Sequence, residues 1–138
     1  MNPEHVRVLV TRRMQQAAEA LEDGRYLLAA GRGARTAVNR AYYAAFYAVL
    51  ALLQALGKTP RKHRGVLTLF DTECVRTGRL PKELSAALHQ LFDARQEDDY
   101  RRLEPVLPDE ATEFIAVAEQ FVQAIRDHMF DTGYLPRE

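Results

Sequence analysis

The stretch "AVNRAYYAAFYAVLALL", Ala37 to Leu53, decides the fold. At helical spacing it carries two adjacent stripes. One is Val38, Tyr42, Ala45, Val49 and Leu52, continued by Leu56; the other is Asn39, Tyr43, Phe46, Leu50 and Leu53. A third row, Ala41, Ala44, Ala48, Ala51 and Ala55, is all alanine. A helix apolar on so many sides is buried all round, and alanine lets another backbone come close. That backbone is either a neighbouring helix or a second copy of the chain. The uncharged run from Ala41 to Gly57 is seventeen residues long and contains Gln54 and three tyrosines. A bilayer span needs roughly 20 apolar residues, so a buried helix is the reading and no membrane is expected.

Outward from this helix, every periodic segment has a helical period. Before it, Val6, Val10, Met14, Ala17, Leu21 and Leu28 form one stripe, closed by "GRG" at Gly31 to Gly33. After it, Gly57 and "KTPRKHRG" break the pattern. A short helix is expected from about His63 to Arg76, closed by "TGRLP". Pro81 suits the first position of a fourth helix running to about Leu103. "EPVLP" is the next break, and Asp109 and Glu110 suit the first turn of a last helix. Its stripe runs through Ala111, Phe114, Ile115, Ala118, Phe121 and Ile125 to Met129. No stretch alternates as a strand. The expectation is an all-α fold, an up-and-down bundle of four long helices and one short one. One domain spans residues 1–130, with a frayed tail over 131–138.

Composition narrows the function. The chain is 138 residues long and 47% apolar, with one cysteine, Cys74, so it holds no internal disulfide and no multi-cysteine metal site. No signal peptide is visible, and a reducing, cytoplasmic location is the default. Net charge is zero but uneven. Residues 1–69 hold eleven Lys/Arg against four Asp/Glu, and residues 70–138 hold eight against fifteen. Either the halves pair with each other or the first half presents a basic face.

Catalytic patterns are sparse. The histidines, His5, His63, His89 and His128, have no metal-binding spacing, so no metal or cofactor is expected. Ser85 is the one serine and lies in no strained-turn motif, and "GRG" lacks the lysine of a P-loop. Two basic segments remain: Arg25, Arg32, Arg35 and Arg40, then Lys58, Arg61, Lys62 and Arg64 beside His63. They flank the second helix and are expected at its opposite ends. Each is either solvated loop charge or a set of phosphate contacts.

The fourth helix poses one more question. Leu84, Leu88 and Leu91 step along one face, and the next position on it is Arg95, followed by Asp98 or Asp99. An Arg95–Asp99 pair at i, i+4 satisfies much of its own hydrogen bonding, and Tyr100 adds a phenol. The cluster either fixes helix register or lines a pocket in which Arg95 holds a phosphate.

Four ordered blocks carry a resemblance. "AVNRAYYAAFYAVLALL" (37–53), "KHRGVLTLF" (62–70), "VRTGRLPKEL" (75–84) and "LFDARQEDDY" (91–100) together resemble small prokaryotic HEPN-domain proteins. The similarity extends to "AEQFVQAI" at 118–125. It implies a helical bundle that dimerises and is often paired with a minimal nucleotidyltransferase, sometimes as a toxin–antitoxin system. Ribonuclease members carry an arginine, four to six residues, then a histidine. Here Arg95 is followed after four residues by Tyr100. A tyrosine with a pKa of about 10 is a poor base at pH 7, though it can donate a hydrogen bond or stack on a base. In some related toxins the partner transferase modifies a tyrosine two residues beyond the histidine. The matching residue here is Arg102, so that regulation does not carry over.

The resemblance therefore implies, first, a homodimeric module that binds nucleotide or RNA phosphate and partners a nucleotidyltransferase. Asn39, Arg40, Tyr43, His63, Arg64, Arg95 and Asp99 are its expected binding residues. The alternatives are a metal-independent ribonuclease toxin with Arg95 and Tyr100 as catalytic groups, and a non-catalytic helical adaptor.

Overall fold

A computed structural model describes residues 2–100 and 105–136, and for 96–100 it describes the backbone only. Five helices follow in order: α1 (Pro3–Ala29), α2 (Ala34–Ala55), α3 (His63–Phe70), α4 (Lys82–Tyr100) and α5 (Pro108–Asp131). A π-helical turn, Asp71–Val75, follows α3. There is no strand among the described residues. The all-α bundle of four long helices and a short one is the fold observed.

Local signals account for the helix ends. Asn2 accepts a hydrogen bond from the Glu4 amide at 2.8 Å, and Pro3 opens α1. At α5 the Leu107 amide donates to Glu110 Oε1 at 3.3 Å, and two acids sit in the first turn.

Helix α2 is the axle of the bundle and touches all four other helices. Ala41, Ala44, Ala48 and Ala51 are fully buried within this one chain, and α1 makes the most extensive contact with α2. The backbone that alanine admits is therefore a bundle neighbour. Gly24 of α1 shows how close the approach is: a Cβ there would lie 2.5 Å from Ile115 Cδ1 and 3.6 Å from the Ala37 carbonyl oxygen. The core adds Phe70, Leu88, Leu91, Phe121, Ile125 and Met129.

Two expectations about boundaries are corrected. The short helix ends at Phe70, and the chain continues to Val75 through the π turn, in which the Arg76 amide reaches the Asp71 carbonyl at 2.9 Å. Threonine hydroxyls bond backward to carbonyls along this stretch, Thr68 to Arg64 and Thr72 to Thr68, each at 3.0 Å. Such bonds loosen the regular ladder, and Asp71 is left reaching α4. The tail expected to fray from Asp131 is tied down as far as Leu135. Gly133, at φ +84°, turns the chain, the Tyr134 and Leu135 amides bond to the Met129 carbonyl, and Leu135 enters the core.

Candidate functional site

Of the second basic segment, His63 does not stay at the far end of α2. After Leu56 the chain folds back along the helix, and His63, the first residue of α3, stacks its ring on Phe46. The centroids are 4.2 Å apart and the planes 21° off parallel. Phe46 lies nine residues before the end of α2, about 14 Å along the axis at ~1.5 Å per residue. Lys58 is anchored on the way by Glu73 at 3.7 Å. His63 is thereby delivered to the middle of α2 rather than to its end.

There it meets residues from two other directions. Tyr42, fully buried, has its hydroxyl 3.0 Å from His63 Nδ1. From α4, the Arg95 guanidinium carbon stands 5.4 Å from the Tyr42 ring centroid and 5.5 Å from that of Tyr43. From α2 itself, Arg40 lies 5.1 Å over Tyr43 while its Nη2 donates to Asn39 Oδ1 at 2.9 Å. Tyr43, half-buried, thus faces guanidinium groups from two helices. Such contacts contribute about 0.5–2 kcal/mol each and hold arginine forks at a fixed place.

The electrostatics follow from burial. It pushes the Tyr42 phenol well above its ordinary value, although Arg95 pulls the other way. His63 is lowered, first by burial and then by Arg95. His128, whose Nε2 is buried without a hydrogen-bond partner among the described residues, is lowered by burial and by Arg79. In the unfolded chain both imidazoles regain ordinary values near 6.5, so below that pH the unfolded state binds more protons than the folded one. Their contribution to stability is full above about pH 6.5 and is lost as the pH falls through the lowered folded values. The melting temperature is expected to drop between pH 7.5 and 5.5. His63→Gln with His128→Gln should flatten that drop; an unchanged slope would remove these groups from the account.

A second cluster arises where α4 meets the π turn. Ser85 donates to Asp71 Oδ1 at 2.6 Å, and His89 Nε2 lies 2.7 Å from Asp71 Oδ2. The three residue types are those of a hydrolytic triad, but the carboxylate stands between the other two. The imidazole is not on the serine hydroxyl, so no base serves a nucleophile. Burial pushes the Cys74 thiol up to about 11, so it is no thiolate near neutral pH. Among the described residues no group of three His, Cys, Asp or Glu side chains could hold a metal ion.

Of the residues singled out from sequence, Asn39, Arg40, Tyr43, His63 and Arg95 come together. Arg64 is exposed, one position past His63, and no described side-chain contact ties it to the group. The side chains of Asp99 and Tyr100 lie outside the described residues, as does Arg102. Sequence reasoning missed Tyr42, which links His63 to α2, and Phe46, which His63 stacks on. One signal was available: a tyrosine on a wholly buried stripe needs a partner for its hydroxyl. The charge imbalance between halves is partly internal, since Arg25 meets Glu119 at 2.7 Å.

Comparison with known proteins agrees with this architecture. The HEPN domain family profile matches residues 10–128. The chain is 41% identical to a UPF0332 protein of Thermotoga maritima, over 80% of this chain and 83% of that one. Two proteins of Methanocaldococcus jannaschii named as toxin candidates are 31% and 35% identical. The first match covers 74% of this chain and 69% of the relative, the second 67% and 68%. With the profile spanning α2, α3, α4 and most of α1 and α5, the chain belongs to the HEPN-domain family.

Proposed function

We propose that this protein is a homodimeric, cytoplasmic module that binds nucleotide or RNA phosphate and works beside a minimal nucleotidyltransferase in a toxin–antitoxin-like pair. One observation carries the binding site: guanidinium groups from α2 and α4 converge on the Tyr43 ring beside the His63 imidazole. Cationic forks meet phosphate, and aromatic faces meet bases, in a way that tolerates many sequences. Tyr47 and Leu50 lie partly exposed farther along α2 and offer an edge that a second copy would cover. No helix of the described residues is long and apolar enough to cross a membrane. The toxin names of two relatives support the pairing with an antitoxin partner.

Arg61, Lys62 and Arg64 are exposed beside this site and would extend it along a strand. Each phosphate contact on single-stranded nucleic acid contributes about 0.7 to the salt slope. Replacing all three by alanine should reduce the slope for a short single-stranded RNA by about 2. A slope equal to that of the unaltered protein would place them off the path.

A second reading, a metal-independent ribonuclease, has one observation in its favour. His63 supplies beside Arg95 an imidazole that position 100 does not. Incubation of RNA with the protein and a chelator decides between them. Cleavage that disappears in Arg95→Ala would establish the ribonuclease, and intact RNA that remains bound would support the module.

A further inference from the structure

We propose that Tyr42 fixes His63 as the Nε2–H tautomer, so that a neutral imidazole donor stands beside Arg95 and the site takes a phosphodiester without taking up a proton. This rests on the phosphate-binding reading and adds to it the state in which the imidazole acts and the residue that sets it.

Tyr42 has no exposed surface, so water does not serve its hydroxyl. Its one hydrogen-bond partner among the described residues is His63 Nδ1, at 3.0 Å. If Nδ1 carried the proton, the phenol oxygen would accept it and the phenolic hydrogen would be left buried and unbonded, which costs about 1–3 kcal/mol. If the phenol donates, both groups are satisfied, and the ring's proton must then be on Nε2. That nitrogen makes no hydrogen bond within the described chain and is not among its buried unsatisfied atoms.

The surroundings keep the ring neutral. Among the described residues, His63 faces Tyr42, Tyr43 and Phe46 from α2 and the Arg95 charge from α4, with Lys62 and Arg64 flanking it in sequence. A second proton on the imidazole would sit beside the Arg95 charge and leave Tyr42 facing an N–H. The neutral ring therefore offers a hydrogen and no lone pair to an incoming anion.

This has a consequence for chemistry. An imidazole with its proton already on Nε2 does not accept one from a ribose hydroxyl there. To give that proton away it would have to draw one from Tyr42, whose burial opposes ionisation. Tyr42 is thus a positioning residue for a binding group, and the site holds a phosphodiester without a proton-transfer partner in His63.

The test uses the whole 138-residue chain in two arms. Nitrogen-15 spectra of the histidine rings, recorded at pH 7.5 without ligand, should show His63 protonated on Nε2. In Tyr42→Phe the ring should shift toward Nδ1–H. Calorimetry with a 2′-O-methyl tetranucleotide, which neither titrates near neutrality nor cleaves, is run in two buffers of different ionisation enthalpy. The unaltered protein should give the same heat in both. Tyr42→Phe should bind about fivefold more weakly at pH 7.5, recover affinity as the pH falls, and show buffer-dependent heat. Nδ1–H in the unaltered protein overturns the proposal even if the oligonucleotide binds. Nε2–H with proton uptake on binding overturns it as well. Absence of binding overturns the phosphate-binding reading and this inference with it. If Tyr42→Phe does not fold, the unaltered protein's tautomer and paired heats still decide.

Discussion

Tyr42→Ala is expected to destabilise the protein by about 3–5 kcal/mol, the range for deleting a fully buried aromatic side chain. Tyr42 packs against Phe92 at 5.8 Å between ring centroids and against Phe46 at 5.7 Å, so the space left behind opens inside a contact network spanning α2 and α4. Arg95 loses one of the two rings it covers, and His63 Nδ1 loses its partner. Single domains are stable by about 5–15 kcal/mol, so this one change removes a large part of the total. A melting temperature lowered by roughly 10–20 °C is the expected reading. Tyr42→Phe keeps the ring and removes only a hydrogen bond worth about 1 kcal/mol. The difference between the two variants therefore separates packing from the tautomer-setting hydroxyl. Equal losses would mean that the ring itself contributes little.

Arg95→Ala should weaken binding of a short single-stranded RNA by about 10- to 100-fold, because charge-assisted hydrogen bonds contribute about 1.5–3 kcal/mol. Its effect on folding should be smaller, since the side chain is half-buried and rests against the rings of Tyr42 and Tyr43. Arg95→Lys restores the charge but neither the planar fork nor the stacked face, and should recover only part of the affinity. Binding curves and melting curves on the same samples check both statements. If both variants bind as the unaltered protein does, Arg95 belongs to the structure of α4 and not to a site.

The bundle was legible because burial imposes a period. The three apolar rows of α2 require neighbours on several sides, and the structure supplies them. What escaped were features set by long-range folding rather than local pattern. The π turn after Phe70 depends on how α3 meets α4, and hydrophobic spacing runs through it without a signal. The tail is held by a glycine turn and by Leu135, a single apolar residue after the last helical stripe. The site was legible as a set of residue types. Its assembly was not, because the return of Lys58–His63 along α2 cannot be read from breakers that mark only where a helix stops. Tyr42 shows the same limit from the other side: on a buried stripe it reads as core, and only the arrival of His63 gives its hydroxyl a role.

The central claim is that the surface where α2, α3 and α4 meet is where phosphate binds. The most direct measurement is a titration of nitrogen-15-labelled protein with the 2′-O-methyl tetranucleotide, following arginine side-chain and histidine ring signals. Saturable shifts are expected at Arg95, Arg40 and His63, with Arg25, held by Glu119 between α1 and α5, left unchanged. Shifts confined to Arg25 and Arg126, or none at Arg95 and His63 at saturation, would contradict it.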